Sequence, residues 1–183
     1  TQITDGTLTA FCGAGDGFVR TWYDQSGNDN NAVEASAASQ PMCVSAGSLV
    51  QDNTRPALLF DGINDQLRFP VITSILGTNP RYFASVINPA NANERGFLVW
   101  DTSALGGAVS IATNNNIVTF RFTAGRHDLG TSVVNEQNLI SWNLPAPANN
   151  ANLSSVGCNG VYTSLTLNRT LDTQSVEGYI GGD

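Results

Sequence analysis

Between Val19 and Ala32 a short run of β-branched and aromatic residues, Val19-Arg20-Thr21-Trp22-Tyr23, gives way at once to Asp24-Gln25-Ser26-Gly27-Asn28-Asp29-Asn30-Asn31. Asp, Ser, Gly and Asn accept unusual backbone angles and bond back to their own main chain. A strand entering this stretch must therefore stop at Tyr23 and turn. The pattern recurs at Pro56-Ala57-Leu58-Leu59-Phe60-Asp61-Gly62-Ile63-Asn64-Asp65-Gln66-Leu67, where a buried strand runs into an Asp-Gly turn and a second strand follows. Short strands joined by tight polar turns are what this punctuation allows.

Further along, the apolar period is two. Val118, Phe120 and Phe122 alternate with Thr119 and Arg121; Ile140, Trp142 and Leu144 alternate with Ser141 and Asn143; Val161, Thr163, Leu165 and Leu167 alternate with Tyr162, Ser164 and Thr166. Each reads as a strand with one wet face and one dry face. Ala57–Phe60 and Phe97–Trp100 are apolar on both faces, as central strands are. Asn159-Gly160 suits the left-handed angles of a type I′ hairpin turn. One short helix is expected from Asp5, its cap, to Gly13. The expected fold is all-β: two packed antiparallel sheets with one or two short helices. Val118, Phe120, Phe122, Ile140, Trp142, Leu59 and Leu165 should point between the sheets. No linker or repeat divides residues 1–183, which read as a single β-sandwich domain.

Apolar residues form 41% of the 183, enough for a two-layer core without staples, and no apolar run is long enough to span a membrane. The net charge is -7, lysine is absent, and the eight arginines are scattered singly, which argues against nucleic acid as a partner. Lysine is the usual guard of exposed sheet edges, so loops, bulges or neighbouring subunits must cover them here. Cys12, Cys43 and Cys158 include no C-x-x-C pair, and His127, in a polar turn, is the only histidine, so a zinc site is not supported. Cys12 and Cys43 could bridge, although buried free thiols are the commoner state of such residues. Thr1 is not an initiator methionine and nothing near it reads as a signal peptide, so a piece of a longer protein is expected.

The segments 19–32 and 56–67, with the upstream Gly13–Gly17 run and the intervening Gln40-Pro41 pair, resemble concanavalin A-like sandwich modules of the laminin-G type. More narrowly they resemble the branch related to the catalytic domain of arabinofuranosidase B and common in bacteriophage structural proteins. The resemblance implies a jelly roll and a place in a virion or on an extracellular surface, among other virion subunits. It also implies a further strand pair after Gly178–Gly181, so the last strands are expected to be missing and that strand to lack a partner. An oligomer follows from the same argument.

An arabinofuranosidase-like hydrolase, or its sugar-binding module, is the alternative. Glycoside hydrolysis needs two opposed carboxylates. Glu34, Glu94, Glu136 and Glu177 offer no such pair, and Asp24 and Asp61 are better explained as turn formers, so no catalytic residue is assigned. A glycan-binding surface would draw on Trp22, Tyr23, Asp24, Gln25, Asn28 and Asn30, an aromatic face beside amides and carboxylate. The two aromatics read equally well as core. No cofactor is required by the sequence. Ca2+ is the ion that the loop oxygens of Asp61, Asn64 and Asp65 would suit, and the same residues are ordinary turn chemistry. The preferred reading is a non-catalytic structural or adhesion module of a phage-like virion, in a tail, fibre or capsid decoration.

Overall fold

A computed structural model describes residues 1–77, 79–90, 95–100, 109–114, 117–122, 125–132, 135–144, 153–166 and 177–181. The fold is an all-β antiparallel sandwich, compatible with a jelly roll, and the chain divides into two compact units.

The first unit comprises Thr1–Phe69 and Tyr179–Asp183. It opens with the expected helix, α1 (Thr7–Cys12), which ends at Gly13; its N-cap is Gly6, in the left-handed region (φ 87°), and not Asp5, whose Oδ1 accepts the Thr7 N–H at 3.0 Å from one residue further out. Eight short strands follow: β1 (Gly17–Phe18), β2 (Thr21–Trp22), β3 (Ala32–Val33), β4 (Met42–Ser45), β5 (Ser48–Leu49), β6 (Gln51–Asp52), β7 (Arg55–Pro56) and β8 (Gln66–Phe69). β1, β4 and β5 form one sheet, β6 pairs with β7, and β2, β3 and β8 lie side by side in another. In that sheet Trp22 stands opposite Ala32, and Val33 opposite both Thr21 and Arg68.

Ala57–Phe60 does not become a central strand. Leu59 exchanges both backbone bonds with Met42 in an isolated bridge, but its side chain is 52% exposed and does not enter the core. One bridging residue fixes the backbone without bringing a second layer over both faces, so the apolar run is only half covered.

The second unit, Pro70–Gly178, carries the longer strands. They are β9 (Arg81–Ile87), β10 (Arg95–Trp100), β11 (Val109–Asn114), β12 (Ile117–Phe122), β13 (Gly125–Ser132), β14 (Asn138–Leu144), β15 (Leu153–Cys158) and β16 (Val161–Thr166). One sheet runs β13-β12-β11-β10 and the other β16-β15-β14-β9. Val118, Phe120, Ile111, Ile140, Trp142, Leu144 and Val156 are buried, and the Phe120 and Trp142 rings lie 5.8 Å apart at 58°. Edge-tilted pairs of this kind add to the area term that drives sheet packing.

Four expectations change here, the first being Ser141, read as facing water but buried in β14. Thr119 was assigned to a wet face but is fully buried, because its hydroxyl donates to Asp128 Oδ1 (2.8 Å) on the neighbouring β13. His127 lies within strand β13, opposite Phe120, rather than in a turn. Val161, Tyr162, Thr163 and Ser164 are all exposed, and among the described strands β16 has a neighbour on one side only. The side chains of Phe122 and Leu165 lie outside the described ones.

The β15–β16 hairpin turns as expected at Asn159 (φ 51°) and Gly160 (φ 83°), both left-handed as a type I′ turn requires. Asn159 also ties the hairpin to β14. Its Oδ1 accepts the Leu139 N–H at 2.8 Å and its Nδ2 donates to Asn138 Oδ1 at 2.9 Å.

The last strand, β17 (Gly178–Gly181), was expected to lack a pairing partner. It lies beside β8 in the first unit's sheet. Gly181 (φ 73°) packs so closely on Phe60 and the Asp65 carbonyl that a Cβ there would overlap both.

Candidate functional site

The loop from Tyr23 to Asn31 is built around one carboxylate. Asp24 Oδ1 accepts the Ser26 N–H (2.8 Å), while Oδ2 accepts the Ser26 hydroxyl (2.7 Å) and the Asn30 N–H (3.1 Å). The Asp24 N–H in turn donates to Asn31 Oδ1 at 2.8 Å. Ser26 Oγ accepts from Asn28 Nδ2 (2.9 Å), and Gln25 Nε2 donates to the Tyr23 carbonyl (3.0 Å). The Ser26 N–H, then its hydroxyl, then the Asn30 N–H hold the Asp24 carboxyl below the usual carboxylate range. Asp24 therefore shapes the loop, and its lone pairs are engaged by the chain itself.

Beside this loop two aromatic side chains stand in solvent. Trp22 is 51% exposed and Tyr23 65%. They are not core residues. β2 is two residues long, and Trp22 meets only the small Ala32 across the pair. Gln25 and Asn28 are exposed next to them, and Asn30 is half-buried. Of the six residues named from the sequence, Trp22, Tyr23, Gln25 and Asn28 are exposed and Asn30 is half-buried, while the Asp24 carboxylate holds the main chain at Ser26 and Asn30.

The second loop is an Asp-centred turn of the same design. Asp61 Oδ1 accepts the N–H groups of Ile63 (2.8 Å), Asn64 (3.1 Å) and Asp65 (3.2 Å), and Asp65 Oδ2 accepts the Asp61 N–H (2.9 Å). Asn64 Nδ2 reaches the Ala38 carbonyl at 3.2 Å and Ser39 Oγ at 3.1 Å. The Ile63 N–H is the largest influence lowering the Asp61 carboxyl. Asp65 is buried, and desolvation, with the Asp61 charge adding to it, pushes its carboxyl up. The carboxylate and amide groups of Asp61, Asn64 and Asp65 each bond to neighbouring protein atoms. Among the described residues no cluster of three or more His, Cys, Asp or Glu side chains is placed to hold a metal ion.

No protein-family model matches this chain. No curated protein matches it either.

One surface was not anticipated. On the outer face of the β16-β15-β14-β9 sheet Tyr82, Val86, Leu139 and Tyr162 are exposed, with Leu139 opposite Val86. Tyr162 lies over Gly157, where a Cβ would come within 2.7 Å of its ring and 2.8 Å of Ser141 Oγ. The alternation of Tyr82, Ala84 and Val86 along β9 puts all three on this exposed face.

Proposed function

We propose that this chain is a non-catalytic adhesion module of a phage-like virion, a tail, fibre or capsid-decoration component, that binds surface glycans through Trp22, Tyr23, Gln25, Asn28 and Asn30. The observation that carries this reading is the pair of exposed aromatics beside a polar loop already held by its own hydrogen bonds. An aromatic face stacks on the apolar face of a sugar ring, and side-chain amides meet adjacent hydroxyls in pairs. A loop ordered before binding loses little further entropy when a ligand arrives. The resemblance of residues 19–32 and 56–67 to laminin-G-like modules of the phage-associated branch supports the virion setting, with other virion subunits as partners.

The non-catalytic part is supported by what the acids do. Asp24 and Asp61 are engaged by backbone N–H groups, and Glu34 Oε1 accepts the Ser36 N–H at 2.8 Å. Each carboxylate serves its own turn.

A glycan array followed by titration calorimetry tests the proposal. The chain should bind at least one glycan class, and Trp22→Ala or Tyr23→Ala should weaken that binding by about tenfold or more, roughly 1.4 kcal/mol. Silence across the array, or binding indifferent to both substitutions, would remove the glycan reading. Release of arabinose from an aryl-arabinofuranoside, abolished by replacing Glu34 or Glu136, would establish the hydrolase instead.

A further inference from the structure

We propose that Cys12 and Cys43 are a paired redox site, closing to an intramolecular disulfide that staples the end of α1 to strand β4. The two thiols come from elements far apart in sequence and meet at Gly17. Cys43 Sγ lies 3.4 Å from the Gly17 carbonyl oxygen, and Cys12 Sγ would be 2.8 Å from a Cβ built on the same glycine. Gly17 is thus the residue that both sulfurs approach, and its missing side chain leaves the room that the Cys12 sulfur occupies.

Local geometry explains why Cys43 turns this way. β1 and β4 pair as Gly17 with Val44 and Phe18 with Met42, so one step along β1 matches two along β4. Cys43 is the extra residue of a bulge, the irregularity that re-aims a side chain. The approach of α1 is equally fixed. The Gly47 N–H donates to the Gly15 carbonyl (2.9 Å), the Ala46 N–H to Asp16 Oδ1 (2.7 Å), and Gly47 packs against the backbone of Gly13 and Ala14. The helix end is therefore held against the β4–β5 hairpin before any sulfur chemistry takes place.

Both thiols are half-exposed and present as free cysteines, whereas Cys158 is buried in the other unit. Burial, and then the proximity of Cys12, push the Cys43 thiol up; in the proposed sequence Cys43 takes the second, resolving step. The oxidant is a small-molecule disulfide of the glutathione type. The Cys12 thiolate attacks one of its sulfurs, forming a mixed disulfide and releasing one thiol. Cys43, as thiolate, then attacks the Cys12 sulfur and releases the second thiol. Two protein thiols become one disulfide, and the two electrons end on the small molecule, which leaves as two thiols.

Incubation of the reduced chain with oxidised glutathione, followed by thiol counting in denaturant and non-reducing peptide mass mapping, provides the test. Free thiol should fall from three per chain to one, with the loss of two hydrogen atoms and a Cys12–Cys43 linked peptide. The linked form should also melt at a higher temperature, because the cross-link restricts the unfolded chain. Cys43→Ser should stop at a glutathione adduct on Cys12. Retention of all three thiols, a wild type that stops at glutathione adducts, a bridge involving Cys158, or a bridge between chains would each overturn the proposal.

Discussion

Phe120 of β12 and Trp142 of β14 meet across the two sheets of the second unit, their ring centroids 5.8 Å apart and their planes 58° apart. Both side chains are essentially removed from water. Trp142→Ala deletes the largest fully buried side chain among the described residues and leaves a cavity that β-sheet backbone cannot collapse to fill. A loss of about 3–5 kcal/mol is expected in urea unfolding, with Phe120→Ala in the same range. Because the two rings touch, the double variant should cost less than the sum. A loss below about 1 kcal/mol would mean that the two sheets are not packed through this pair.

Trp22→Ala and Tyr23→Ala should separate binding from stability. Both rings are more than half exposed, so their removal should leave unfolding free energy within about 0.5 kcal/mol of wild type. A large stability loss in either variant would return these aromatics to the core.

Asp24 gives the loop a pH signature. Its carboxyl is lowered by the N–H and hydroxyl of Ser26 and by the Asn30 N–H, so the folded state favours the ionised form. The resulting contribution is fully present above the ordinary carboxylate value of about 3.9 and is lost as pH falls through the lower, folded value. The amide resonances of Ser26 and Asn30 should titrate together with a midpoint below that ordinary value. Asp24→Asn should abolish the transition, and unchanged titration in that variant would assign it to another group.

Asp61 and Asp65 should respond in opposite senses. Asp61→Ala leaves three N–H groups without their acceptor and should cost about 1 kcal/mol, the usual scale for an Asx cap at a solvated turn. Asp65 has a raised folded value, so below the ordinary carboxylate range it costs nothing. As pH rises through that range toward the raised value the unfolded chain ionises first, and the penalty grows until it is fully present above both. Asp65→Asn can still accept the Asp61 N–H, and it should stabilise the chain at neutral pH but not in acid. Thermal melts of both variants across that range are the check.

Two glycines should differ in their tolerance. Gly160→Ala should cost about 1 kcal/mol, since φ 83° disfavours a Cβ but nothing crowds the site. Gly181→Ala meets the Phe60 ring and comes within 2.7 Å of the Asp65 carbonyl oxygen, so its cost in the same melts should be clearly larger.

The sequence alone determined those features that local chemistry decides. The Asp24 and Asp61 turns, the Asn159-Gly160 hairpin, the end of α1 at Gly13 and the inward residues Val118, Phe120, Ile140 and Trp142 are set by backbone preference and period-two patterning within a few residues. The candidate loop was legible for the same reason, since Asp24 bonds only to its near neighbours. Tertiary structure decided whatever depends on which strand lies next to which. Leu59 faces water because one bridge to Met42 gives it no second covering layer, and Thr119 is buried because Asp128 on β13 receives its hydroxyl. The exposure of Trp22 and Tyr23 also lay beyond the sequence, because a strand aromatic is covered or left open by residues distant in the chain. So did the partner of β17, supplied by β8, and the approach of both the Cys12 and the Cys43 sulfur to Gly17. Sequence patterns encode which groups must be satisfied; the three-dimensional pairing of strands determines which neighbour satisfies them.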